Sequence, residues 1–167
     1  MDMDKRINNL KTDFTSPHQR GISTSTDGGI TWSAVTNHPT LTEPPTGAAF
    51  IRYTKPPTYG KSRLLFSNTA TSDRTNLIVR LSYDEGVTWP VSKTYQSSNT
   101  VYSSLTVLTN GDFGVLFENG TPSDYVAKTT FFTDTLSNLT SGADALDLLA
   151  IPSPPLTLNV GTAYFRP

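Results

Sequence analysis

Two carboxylates, Asp27 and Asp84, stand in settings that suggest a task, because each occupies the same position in a repeated octapeptide. Ser25-Thr26-Asp27-Gly28-Gly29-Ile30-Thr31-Trp32 and Ser82-Tyr83-Asp84-Glu85-Gly86-Val87-Thr88-Trp89 share the pattern Ser-x-Asp-x-Gly-x-Thr-Trp. A loop of that kind can hold a cation, but calcium takes about 6 to 8 oxygen ligands and each copy offers one or two carboxylates. A turn satisfied by its own side chain accounts for the pattern better. The aspartate accepts backbone N–H bonds from one to three residues on, and Gly29 and Gly86 supply the left-handed backbone of a tight hairpin. Trp32 and Trp89 are expected to open the return strand and bury a ring against it. The pattern is therefore structural, and no metal or cofactor is expected. His18 and His38 lie in polar, proline-bearing stretches and read as surface residues. The chain has no cysteine, which removes disulfides, thiolates and Cys-ligated metals.

The elements that would carry such turns are strands. The two copies begin 57 residues apart, at Ser25 and Ser82, near the roughly 40 to 50 residues of one four-stranded propeller blade with a loop insertion added. Short runs rich in β-branched and aromatic residues recur between turn signals at Gly21–Ser25, Ala48–Thr54, Arg63–Asn68, Leu77–Tyr83, Val101–Leu108, Phe113–Glu118 and Ala127–Thr133. Prolines at 44–45, 56–57 and 152–155 mark loops or edges, because proline cannot donate to a sheet ladder. The fold class is therefore all-β, built of propeller blades. A short helix is conceivable within Leu136–Leu149, where Leu136, Leu139, Leu146 and Leu149 recur and Gly142 interrupts. Residues 1–133 form the propeller unit in this reading, and 134–167 hold a further strand, a short helix or a linker.

Composition narrows the function classes. With 13 Lys and Arg against 14 Asp and Glu, no field exists to recruit nucleic acid or an anionic membrane. No apolar run approaches the roughly 20 residues that span a bilayer, and the start Met1-Asp2-Met3-Asp4-Lys5-Arg6 has no apolar stretch behind it. The chain as given is expected to be soluble, and a parent protein could be secreted or periplasmic.

The octapeptide is the Asp-box, or BNR repeat, of sialidases and related propellers. Around it an ordered set of segments resembles the C-terminal half of bacterial-type exo-sialidases, from about Leu10 to Phe132: Arg63-Leu64-Leu65-Phe66-Ser67-Asn68, Asp73-Arg74-Thr75-Asn76-Leu77, the second box, Val101-Tyr102-Ser103-Ser104-Leu105, and Gly111-Asp112-Phe113-Gly114-Val115-Leu116-Phe117-Glu118. That resemblance implies a retaining glycoside hydrolase releasing terminal sialic acid. Tyr102 would be the nucleophile, Arg74 one of three arginines clamping the substrate carboxylate, and Glu118 the acid that holds another of them. The residue types suit the task. The anomeric carbon of a sialoside bears a carboxylate, which repels an Asp or Glu nucleophile, whereas a phenol starts neutral. Arginine binds both carboxylate oxygens with a planar fork that stays charged.

Two departures qualify the resemblance. A second clamp arginine, expected shortly before the first box, is replaced by Lys11 in our alignment, with Arg6 and Arg20 as other candidates, and lysine lacks the bidentate fork. The remaining clamp arginine, the aspartate acid/base and the glutamate that deprotonates the tyrosine correspond to segments upstream of this sequence. The family closes six blades, whereas this chain holds residues for about three. Turnover by the chain alone is not expected, and the open edges call for the missing propeller half or a second copy of the chain as a partner. The alternatives are a non-catalytic Asp-box propeller that binds carbohydrate or another protein, and a remnant without function.

Overall fold

A computed structural model describes residues 6–10, 18–121 and 124–149. Nine strands and one helical turn follow in order: β1 (Arg6–Leu10), β2 (Gln19–Ser25), β3 (Thr36–Thr42), β4 (Ala49–Thr54), β5 (Arg63–Thr69), β6 (Thr75–Ser82), β7 (Val91–Val107), β8 (Phe113–Thr121), β9 (Asp124–Asp134) and α1 (Leu136–Leu139). All pairings are antiparallel. One sheet runs β1-β2-β3 and the other β4-β5-β6-β7-β8-β9.

The second sheet is two blades joined by one strand. β7 pairs with β6 from Val91 to Asn99 and with β8 from Thr100 to Val107. Its register shifts twice against β6 and once against β8. Each extra residue bends the strand and increases its twist, so β7 can end one blade and begin the next. The result is three consecutive blades, β1–β3, β4 to the first half of β7, and the second half of β7 to β9, a partial β-propeller.

Alternation on β5 fixes how the blades stack. All seven of its residues are buried, as a strand covered on both faces must be. Leu64 and Phe66 face the first blade with Leu41, Ile22 and Trp89. Leu65 faces the third blade with Leu77, Val79 and Leu81, against Leu105, Phe113, Val115 and Phe117. Aromatic contacts tighten this larger core, with Tyr95 stacked on Phe132 at 4.6 Å and Tyr53 edge-on to Phe113 at 6.1 Å between centroids. The Tyr53 hydroxyl donates to Gly111 O at 2.5 Å.

The helical reading of Leu136–Leu149 shrinks to one turn. Thr135 caps it by accepting from Asn138 N, and the chain turns away through Gly142 at φ +83°. Residues 140–149 then lie against the second blade. Arg63, fully buried, donates from Nε and Nη2 to Asp144 at 2.8 and 2.9 Å and from Nη1 to Asp147 at 2.8 Å. Leu136 and Leu139 complete the core. No helix among the described residues is long and apolar enough to cross a membrane.

Candidate functional site

The two boxes occupy equivalent places, between β2 and β3 and between β6 and β7, before the last strand of their blades. In the first, Ser25 Oγ donates to Asp27 Oδ1 at 2.7 Å and accepts from Gly29 N at 2.8 Å. Asp27 accepts from Ile30 N at 3.1 Å, from Thr31 N at 2.9 Å and from Thr31 Oγ1 at 2.5 Å. The second repeats this: Ser82 Oγ to Asp84 Oδ1 at 2.8 Å, Gly86 N to Ser82 Oγ at 2.9 Å, Thr88 N and Oγ1 to Asp84 at 2.8 and 2.5 Å. Asp27 thus reaches three and four residues on and Asp84 four, rather than one to three. Gly29 and Gly86 stand at φ +93° and +80°. Bonds from Thr31 and Ser25 hold the Asp27 carboxyl below the usual carboxylate range. The Asp84 carboxyl is also low, because bonds from Thr88 and Ser82 outweigh the opposing effect of burial. Among the described residues no group of three or more His, Cys, Asp or Glu could hold a metal ion.

The tryptophans differ from the sequence expectation. Both precede the return strand rather than opening it, since β3 starts at Thr36 and β7 at Val91. Trp89 is buried against Phe66 and Phe50, with centroids at 5.6 and 6.2 Å. Trp32 is 42% exposed, its Nε1 donating to Gly29 O at 3.0 Å. Sheet β1-β2-β3 packs on the face that carries Trp89, and among the described residues no sheet stands in the same relation to Trp32.

Tyr102 and Glu118 come together. They lie on adjacent strands, β7 and β8, and line one open depression of about 160 Å³ with Ser104, Leu116 and Thr129. The extra residue in β7 between Thr100 and Ser103 places Tyr102 at a bulge, a device that re-aims a side chain. Its ring is 46% exposed. Ser103 Oγ contacts Ser67 Oγ at 2.8 Å and donates to Ser67 O at 3.2 Å, tying this stretch of β7 to β5. Glu118 pairs with Thr129 across β8 and β9, and its Oε2 is buried without a hydrogen-bond partner among the described residues. A buried carboxylate oxygen left in that state favours an incoming cation or N–H donor.

Arg74 is placed by its backbone. The loop from Ala70 to Asn76 closes on itself through Thr71 Oγ1, which accepts from Thr75 N at 3.3 Å, and through Ala70 N to Asn76 O at 3.0 Å. Arg74 takes φ +55° there, and its carbonyl accepts from Thr100 N at 2.9 Å, two residues before Tyr102. It is not among the residues lining the depression. Lys11 lies outside the described residues. Arg20 is committed elsewhere: it is buried, ion-paired with buried Glu43, donates to Thr46 O at 3.3 Å and sits over the Phe66 ring at 5.8 Å. Burial lowers the Arg20 pKa, with Glu43 opposing.

One neighbour of Tyr102 gave no sign in the sequence. Gly47, in the β3–β4 loop, lies against the ring: a Cβ there would stand 2.8 Å from Tyr102 Cδ1. Thr46 pins that loop through its hydroxyl, 2.9 Å from Thr69 Oγ1, and through the bond its carbonyl accepts from Arg20. Only the Gly in Pro44-Pro45-Thr46-Gly47 could have hinted at a close approach, and a proline-rich turn explains that residue equally well.

Residues 5–115 match the BNR repeat-like domain family. A sialidase from Micromonospora viridifaciens is 41% identical over 110 residues, which is 64% of this chain and 17% of that protein. The solved structure of a Hadza microbial sialidase superposes with a TM-score of 0.61 at 34% identity, over 72% of this chain and 24% of that one. A leech intramolecular trans-sialidase shares the fold with a TM-score of 0.67 at 23% identity, over 83% of this chain and 22% of that one. The chain thus spans a quarter or less of the length of these relatives. The family match covers most of its length, and the chain belongs to the BNR repeat-like domain family, with sialidases among its relatives.

Proposed function

We propose that this chain supplies the tyrosine-bearing part of a retaining exo-sialidase centre. The observation that carries the reading is the placement of Tyr102 and Glu118 on one depression, with the Arg74 loop bonded to β7 two residues before the tyrosine. In this reading the Tyr102 oxygen attacks the anomeric carbon as the bond to the aglycone oxygen breaks. The phenol proton passes to a base, and the aglycone oxygen takes a proton from an acid. Water then attacks from the face the aglycone left, giving its proton to the group that had acted as acid while the released tyrosine oxygen takes its proton back from the base, and the two inversions retain configuration. Arg74 holds the substrate carboxylate, and Glu118 holds a neighbouring guanidinium through its unpartnered oxygen. The base, the acid and one further arginine belong to segments that precede this stretch in the family, and Lys11 stands where another arginine is expected, so the 167 residues alone bind sialic acid but do not turn it over.

The test has two arms. In the first, sialic acid binding to the chain is followed by saturation-transfer NMR, and Arg74→Ala is expected to remove it. Absence of binding by the unaltered chain would favour a scaffold without a site. In the second, the chain is assayed with a fluorogenic sialoside, alone and fused behind the preceding portion of the Micromonospora viridifaciens sialidase. The chain alone is expected to release no fluorophore. The chimera is expected to release it, and Tyr102→Phe to lower its rate about a thousandfold or more. Robust hydrolysis by the chain alone would refute the division of the site.

A further inference from the structure

We propose that Gly47 is the positioning residue for Tyr102: it forms the floor on which the phenol ring rests, and its missing side chain sets how deep the ring sits beside the depression. This rests on the reading of Tyr102 as nucleophile. The ring stands on a bulge, half exposed, and its hydroxyl makes no hydrogen bond to the described residues. With no polar anchor at its tip, ring packing is what holds the tyrosine. The three atoms nearest a Cβ built on Gly47 are all Tyr102 ring atoms, Cδ1 at 2.8 Å, Cε1 at 3.4 Å and Cγ at 3.7 Å.

The loop cannot retreat to make room. Thr46, the residue before Gly47, is fully buried and held by Thr69 at 2.9 Å and by Arg20, which is itself locked to Glu43. Thr46 N also donates to Pro44 O at 2.7 Å, and Glu43 N to His18 O at 2.9 Å. The buried Arg20–Glu43 pair thereby gains a role: it fixes the platform under the tyrosine. Gly47 is not in the left-handed region, so alanine is compatible with its backbone and conflicts only with the ring. A side chain at 47 must push the phenol outward, and a displacement of about 1 Å in a reacting group costs on the order of a hundredfold in rate.

The full chain carrying Gly47→Ala tests this with tetranitromethane as probe, the nitration of each tyrosine being read by peptide mass. Nitration at Tyr102 is expected to be about twofold faster or more as the ring loses its buried side, with the other tyrosines unchanged. Gly47→Ala is expected to lower the melting temperature by about 2–4 °C through overpacking, and this fall is expected to vanish in a Tyr102→Ala background. Unchanged nitration at residue 102, or an equal melting shift with and without the ring, overturns the proposal. If both changes occur and Tyr102→Phe leaves the chimera active, the nucleophile reading has failed and the positioning role falls with it, while the contact itself stands.

Discussion

The two Asp-boxes have nearly the same internal bonds and very different surroundings. Ser-x-Asp-x-Gly-x-Thr closes each turn with its own side chains, the first box adding one bond from Ile30 N to Asp27. The second box is also bolted to the rest of the molecule. Tyr83 donates to Asp144 Oδ2 at 2.8 Å, Glu85 pairs with Arg52 and Ser62, and Trp89 is buried between two blades. At the matching positions the first box has Thr26, Gly28 and an exposed Trp32. The conserved pattern within this chain thus specifies the turn, and the x positions decide whether that turn becomes a structural joint.

The largest expected contrast is between the tryptophans. Trp89→Ala empties a seat shared by Phe50, Phe66 and the first blade and is expected to cost about 3–5 kcal/mol in urea unfolding. Trp32→Ala is expected to stay within about 0.5 kcal/mol. Equal losses would mean that Trp32 is covered as Trp89 is, and the contrast would break.

Next in size is Tyr83→Phe, which removes one donor from a buried carboxylate and is expected to cost about 1.5–3 kcal/mol at neutral pH. Its dependence on pH sharpens the point. Burial works to raise the Asp144 pKa, but bonds from Arg63, Tyr83 and Lys61 hold it below the ordinary range. The stability it contributes is therefore complete above its unfolded pKa of about 3.9 and is lost as pH falls below that value. Tyr83 runs the other way. Desolvation, then the bond to Asp144, push it up to about 12, so its contribution fades as pH rises from about 10. A thermal-stability profile in which Tyr83→Phe costs as much at pH 2 as at pH 7 would detach this bolt from the second box.

The smallest effect concerns the backbone. Gly28 at φ +77° and Glu85 at φ +60° share one left-handed position. No atom lies within 4 Å of a Cβ at Gly28, so Gly28→Ala is expected to cost about 1–2 kcal/mol through conformation alone. Glu85→Gly relieves the same strain but forfeits Arg52, and is expected to change stability by less than about 1 kcal/mol. Calorimetry showing a large loss for Glu85→Gly would make the ion pair, rather than the turn, the main support of the second box.

Strands with an apolar alternation were legible in the sequence, and β5, β6 and β8 begin within two residues of where their patterns start. Three pieces escaped because nothing in them alternates. β3, Thr-Asn-His-Pro-Thr-Leu-Thr, buries only Leu41 and carries Pro39, which an edge strand tolerates. β1 and the first half of β7 are mostly polar runs held by pairing with a neighbour, although Val91 and Tyr95 of the latter pack on the core. In the candidate site, Tyr102, Glu118 and Arg74 were reachable because whole segments resemble a family. Gly47, Ser67 and the Arg20–Glu43 platform act through contacts between segments far apart in sequence, which local pattern cannot reveal. The network around Arg63 was hidden for the same reason.

That network bears on the order in which the molecule can be made. Arg63 is separated from its carboxylate by 81 positions, so on a ribosome the cation emerges long before Asp144 does. Until then, closing β5 into its sheet would entomb an unneutralised guanidinium, which costs several kcal/mol. The second blade should consequently stay open during synthesis and seal only when nearly the whole described chain has left the exit tunnel.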